Sequence, residues 1–271
     1  MYDIIKAIIL GIIEGITEFL PISSTGHLIL ANQWINFDQN FSNMFNVVIQ
    51  LGAILSVIIY FWDRLYPFSS NKTPAQTKET FNLWTKAIVG VIPALILGKL
   101  FADIIEEKLF NPYTVAIMLL LGGVILIWLE NKKKTSIIKT ITQMSYIDAV
   151  KIGLFQCIAM VPGTSRSAAT IIGAMLIGTS RNVAAEFSFF LAIPTMFAAS
   201  TYSLLKMGGD MTAEQWVVLA VGFVVSFLVA WGVIAVFMNY IRKNDFKFFG
   251  YYRIVLGIIV LVLGALGFIA K

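Results

Sequence analysis

The sequence is short of the residues that build disulfides, metal cages and solvated surfaces. It has one cysteine and one histidine in 271 residues, and 13% of it is charged, against about 25% in an ordinary soluble domain. The lone Cys157 lies in an apolar run. That excludes an internal disulfide and a cysteine-based metal site, and Cys157 reads as a small buried hydrophobe. No alternating ten-residue pattern suggests a β-barrel. No cleavable leader is expected either, because Glu14 and Glu18 interrupt the apolar run after Lys6 and no small-residue cleavage site precedes Pro21.

What the chain has in abundance is apolar surface. Hydrophobic residues make up 58%, and they fall in runs of about 17–25, long enough to cross a hydrocarbon core of about 30 Å as helices. The expected fold class is an all-α polytopic membrane protein forming a single membrane domain. The net charge of +5 collects between the apolar runs, where basic residues orient helices and meet anionic lipid. Membrane lipid is therefore the expected partner, and nucleic acid is not.

Residues 4–20 are apolar with two embedded glutamates, Pro21 breaks the run, and the next apolar stretch ends at Ile35. That second stretch covers only about 16 Å as helix, so residues 4–35 read as a re-entrant hairpin. Spans are expected at 44–62, 84–102 and 113–129, with Lys86 and Lys99 snorkelling from the second and Pro93 kinking it. Residues 63–81 read as a hydrophilic loop, and Glu106 and Glu107 as a short acidic one. After Lys132, Lys133, Lys134 and Lys139 the pattern restarts, with a second hairpin at 149–177 and spans at 183–205, 216–238 and 254–270. Gly11 and Glu14 then correspond to Gly153 and Gln156, and Pro21 to Pro162.

Residues 1–142 and 143–271 thus read as two repeats, each a hairpin plus three spans. An odd number of spans inverts the second copy relative to the first. If the lysine cluster is cytoplasmic, Arg64, Lys72, Lys78, Arg181, Arg242, Lys243 and Lys247 share its side, while Lys6, Lys108, Lys206 and Lys271 lie outside. This positive-inside bias puts both termini and the mouth of the first hairpin on the external face.

Two segments carry chemistry. Ionised groups at mid-bilayer cost about 2.5–3.5 kcal/mol each on insertion scales, so Glu14, Glu18 and Arg166 need compensation. Glu14 and Glu18, four apart, share a helix face and read either as a divalent-metal site or an acid/base pair, or as interfacial groups facing water. Carboxylate oxygens without cysteine favour Mg²⁺ or Ca²⁺ over zinc. Arg166 follows a Pro-Gly turn at a helix start, where backbone amides and the Ser165, Ser167 and Thr170 hydroxyls suit a phosphate. The alternative is a structural arginine paired with one of the glutamates. Ser24 reads as an attacking hydroxyl or a plain N-cap, with His27 on the next turn as general acid/base or nucleophile. Ser23, Thr25 and Gly163 complete the candidate lining, Gln50 is a further cavity candidate, and Glu186 is expected to face interfacial water.

On Glu14 and Glu18, continuing through Pro21 to Ser23-Ser24-Thr25-Gly26-His27, and on Pro162-Gly163-Thr164-Ser165-Arg166-Ser167 through Thr170, the sequence resembles the undecaprenyl-diphosphate phosphatases of the bacitracin-resistance type. The resemblance covers essentially the whole chain. It implies hydrolysis of undecaprenyl diphosphate to the monophosphate at the outer face of the bacterial inner membrane, with Mg²⁺ or Ca²⁺. It also implies recycling of the carrier lipid for peptidoglycan synthesis, and bacitracin resistance. The implied roles are metal or base for Glu14 and Glu18, nucleophile for Ser24, acid/base for His27, and phosphate binding for Arg166, Ser165 and Thr170. The rival expectation is a lipid-phosphate flippase using the same midplane site, since inverted repeats are typical of carriers. A homodimer is compatible with so compact a chain, but no small-xxx-small stripe argues for it.

Overall fold

The protein is described by a computed structural model covering residues 1–271 except 36, 133–134, 208–210 and 270–271. Lys133, Lys134, Lys271 and the end of the last expected span lie outside the described residues. Among the described residues there are eleven α-helices and no strand: α1 (Tyr2–Thr17), α2 (Ser24–Ala31), α3 (Gln39–Tyr60), α4 (Trp62–Leu65), α5 (Pro74–Leu109), α6 (Pro112–Asn131), α7 (Tyr146–Cys157), α8 (Arg166–Leu176), α9 (Arg181–Met207), α10 (Ala213–Ile241) and α11 (Lys247–Ala265). Six of them, α3, α5, α6, α9, α10 and α11, are long and apolar enough to cross a membrane. The chain is a multi-pass membrane protein.

The helix starts follow from local chemistry. Thr73 accepts from the Gln76 amide and Gln76 reaches back, a capping box, with Pro74 at the first helical position. Thr212 and Gln215 do the same for α10, and Asn111 with Pro112 starts α6. The capping box corrects the expected loop at 63–81: helix begins at Pro74 inside that polar stretch. The expected acidic loop at Glu106 and Glu107 is also helical, because α5 continues to Leu109. At 36 residues α5 is about 54 Å long, well beyond the hydrocarbon thickness.

Two further expectations are corrected. Lys86 does not snorkel; it is 2% exposed and its Nζ donates to the carbonyls of Ile141 at 2.9 Å and Thr142 at 3.4 Å. Glu186 is not simply water-facing, since it pairs with Arg64 at 2.5 Å. The α9 N-terminus is fixed by a second pair, in which Arg181 grips Glu130 through two nitrogens and Glu130 also accepts from the Phe246 amide.

The core is aromatic, with Phe19, Phe61, Phe189, Phe190, Phe237, Phe246 and Phe249 buried together in mostly edge-on or tilted contacts. Around it α1 packs on α10, α7 on α5, α6 on α11 and α3 on α9. The first two contacts are backbone-close. A Cβ at Gly11 would lie 2.8 Å from the Gly222 carbonyl oxygen, and one at Gly153 only 1.9 Å from that of Gly90. Between α1 and α2, and between α7 and α8, short irregular turns bring the polar residues to mid-protein.

Candidate active site

Both turns end on a serine in the left-handed region, Ser23 at φ 72° and Ser165 at φ 70°. No other non-glycine residue among those described has a positive φ. Such a conformation costs about 1–3 kcal/mol per residue and persists where the surroundings over-determine it. Each serine caps the helix that follows: Ser23 accepts from the Gly26 amide at 3.3 Å and Ser165 from the Ala168 amide at 3.2 Å. The turns are also tied to each other, because Ser167 donates its hydroxyl to the Leu20 carbonyl at 2.9 Å.

Glu18 is the hub. Its Oε2 accepts from the Ser24 hydroxyl at 2.8 Å and its Oε1 from Arg166 Nη2 at 3.0 Å. Arg166 Nη1 donates to the Ser188 carbonyl at 2.9 Å, and the Ser188 and Thr170 hydroxyls meet at 2.7 Å. Thus one carboxylate joins the hydroxyl of the first turn to the guanidinium of the second. Glu14 is fully buried and close enough to Glu18 and Arg166 to feel both charges, and its oxygens have no donor among the described residues, only the neighbouring Glu18 carboxyl. Arg166 Nε is likewise buried and unpartnered.

Two carboxylates beside one guanidinium leave one negative charge for a proton or a cation to balance. Among the described residues no group of three or more His, Cys, Asp or Glu forms a metal cage. The donor set is therefore the two adjacent carboxyl groups of Glu14 and Glu18. That fits a hard cation of the Mg²⁺ type, which takes one or two carboxylates and completes its shell with waters and substrate phosphates.

His27 does not bond Ser24. Its Nδ1 is 2.8 Å from the Ser23 carbonyl, an acceptor, so Nδ1 carries the proton and Nε2, 2.7 Å from the Tyr252 hydroxyl, accepts from it in the neutral ring. The two rings also stack at 5.6 Å. Of the other candidates, Thr25 and Gln50 are half-buried and make none of these bonds. Gly163, at φ 88°, offers its carbonyl to Arg253.

Three residues escaped the sequence reading. Ser188 sits in an apolar run that looks like an ordinary span. Tyr252 and Arg253 immediately precede the expected last span, 254–270, and so fell outside it. The helix in fact begins at Lys247 and carries Arg253 fully into the interior.

The chain matches the family described as "Bacitracin resistance protein BacA" over residues 7–259. It belongs to the BacA family. Among relatives, a Clostridioides difficile (strain 630) protein named undecaprenyl-diphosphatase 1 is 55% identical over 263 residues, covering 96% of each chain. An Enterococcus faecalis protein named undecaprenyl-diphosphatase is 52% identical over 270 residues, covering 97% of this chain and 98% of the relative. One from Lactiplantibacillus plantarum, with the same name, is 51% identical over 268 residues, covering 96% and 98%. Because the BacA-family match begins at residue 7 and ends at 259, it takes in both turns and the Tyr252-Arg253 pair.

Proposed function

We propose that this protein is an integral membrane phosphatase that hydrolyses undecaprenyl diphosphate to undecaprenyl phosphate and inorganic phosphate. The observation that carries the reading is the Ser24–Glu18–Arg166 chain: a hydroxyl bonded to a carboxylate, beside a guanidinium, in a buried site. The relatives' names agree with it. A lipid-phosphate carrier has use for the arginine but none for an activated hydroxyl.

In this reading Ser24 Oγ attacks the terminal phosphorus and the bond from that phosphorus to the bridging oxygen breaks. Glu18 takes the serine proton, and undecaprenyl phosphate leaves with the bridging oxygen. Water then cleaves the phosphoserine, releasing phosphate. Phosphoryl transfer needs mostly positioning and charge stabilisation. Arg166 supplies both, with its unpartnered Nε as one donor, and the Ser165 and Ser167 hydroxyls, 3.0 Å apart, line the second turn. Glu14 and Glu18 would hold Mg²⁺ or Ca²⁺, whose chemistry is to neutralise the diphosphate oxygens. His27, held by Ser23 and Tyr252, is an acid/base group of the first turn that acts apart from the Ser24–Glu18 pair.

The architecture we propose is an inverted repeat, 1–142 and 143–271, each half a re-entrant hairpin and three spans. Four features support it: the matched left-handed serines, the matched glycine contacts at Gly11 and Gly153, the like capping boxes of α5 and α10, and the reciprocal packing of α1 on α10 and α7 on α5. The α2 and α8 helices, 8 and 11 residues, reach only about 12 and 16 Å. Arg64 meets the start of α9, and Arg181 and Arg242 line one cavity with the end of α6. Lys6 shares another cavity with Asp3, Asp38 and Glu214. By the positive-inside rule the first group is cytoplasmic and the site opens outward, in a bacterial inner membrane.

The test is phosphate release from undecaprenyl diphosphate by the purified protein, beside Arg166→Ala. Release that drops by about 10²–10³ in the variant, the scale of losing a transition-state donor, supports the reading. Lipid-phosphate binding without release by the folded wild type rejects it.

A further inference from the structure

Arg253 has no carboxylate partner among the described residues. Its guanidinium is fully buried and donates only to main-chain carbonyls, from Nη2 to Met118 at 2.9 Å and Gly163 at 3.1 Å, from Nη1 to Pro21 at 3.4 Å, and from Nε to Leu119 at 3.4 Å. Counted back from the left-handed serines, Pro21 and Gly163 occupy equivalent places, one residue off the expected Pro21–Pro162 correspondence. Each stands two residues before a left-handed serine, Ser23 in one turn and Ser165 in the other, and the residue after that serine is Ser24 or Arg166. One side chain therefore holds corresponding points of both turns.

The surroundings are shaped for it. A Cβ at Gly122 would lie 2.3 Å from Nη2, so α6 presents bare backbone to the guanidinium. A charge buried at membrane depth is costly, and an apolar side chain would fill the space without that cost. What an apolar side chain lacks is a planar fork able to span several carbonyls at once.

We propose that Arg253 is a positioning residue for the hydrolysis. It pins the two turns in register, so that the Ser24–Glu18 pair carried by the first faces Arg166 carried by the second. The inference rests on the phosphatase reading above.

The experiment compares wild type with Arg253→Met and Arg253→Lys in detergent, reading phosphate release and hydrogen exchange across residues 21–26 and 163–168. For Arg253→Met, kcat is expected to fall by about 10²-fold or more with KM changed by less than about threefold, as for misplaced reacting groups. Exchange rises at both turns together while α3 and α9 stay protected. Arg253→Lys keeps the charge but not the fork, and is expected to lose about tenfold or more. A lysine variant with the wild-type kcat overturns the proposal, as does faster exchange at one turn alone or throughout the spans. If the methionine variant does not fold, the lysine variant supplies the same readouts. A wild type that releases no phosphate rejects the phosphatase reading, whereas wild-type release matched by Arg253→Met rejects this inference alone.

Discussion

Ser24 and Glu18 are joined by a hydrogen bond of 2.8 Å across a proline-containing turn, hydroxyl to Oε2. The other oxygen of that carboxylate holds Arg166. Removing either end breaks the same bond, and removing Glu18 also releases Arg166. Ser24→Ala and Glu18→Gln are each expected to lower kcat by about 10²–10⁴, and the double variant to lose less than the product of the two. Steady-state phosphate release from the three variants measures this, and simple multiplication of the two losses would contradict it.

Glu14 has two buried oxygens that no donor among the described residues satisfies. Treatment with a chelator is expected to abolish phosphate release and Mg²⁺ or Ca²⁺ to restore it. Glu14→Gln should raise the metal concentration needed for half-maximal rate by about tenfold or more, the scale of a lost ligand or its supporting group. A metal titration followed by activity decides the point, and full activity in excess chelator would count against it.

Tyr252 and His27 come from opposite ends of the chain and share a hydrogen bond and a stacked contact. They are expected to act as a unit. Tyr252→Phe and His27→Ala, combined in a double-mutant cycle on kcat/KM, should show a coupling of about 0.5–3 kcal/mol. Additive losses would mean that the tyrosine merely covers the histidine.

Gly153 meets the Gly90 carbonyl where a Cβ would stand 1.9 Å from its oxygen, with backbone on both sides. Gly153→Ala is expected to destabilise by about 1–3 kcal/mol, as overpacking does. Gly232, around which a Cβ meets nothing within 4 Å, is the control; there alanine should be neutral or stabilising by up to about 1 kcal/mol. Thermal unfolding in detergent compares the two.

The six spans were legible because each is a long run of apolar residues, a property of composition that packing does not alter. The two turns were legible because proline, glycine and hydroxyl residues interrupt such runs where polar atoms are expensive. Helix starts were less so: the Thr73–Gln76 box lies in a polar stretch, and hydropathy outweighed a capping signal that was present. Partnership was legible at one point, the pairing of Arg166 with a glutamate, which Glu18 supplies, and not elsewhere. Nothing in the order of residues says that Ser24 turns to Glu18 rather than His27, or that Lys86 finds the Ile141 carbonyl. Arg253 stayed hidden because its partners are carbonyls, which every sequence position has.

The packing of α1 on α10 has a consequence for synthesis. About 200 residues separate the two helices, and a chain made at 5–20 residues per second takes roughly 10–40 s to supply the second after the first. Through that interval Glu14 and Glu18 lack the α10 wall, and for most of it Arg166 as well. The nascent α1–α2 segment must therefore hold its two glutamates without their final neighbours, and a ribosome stalled between α9 and α10 would leave α1 without the helix it packs on.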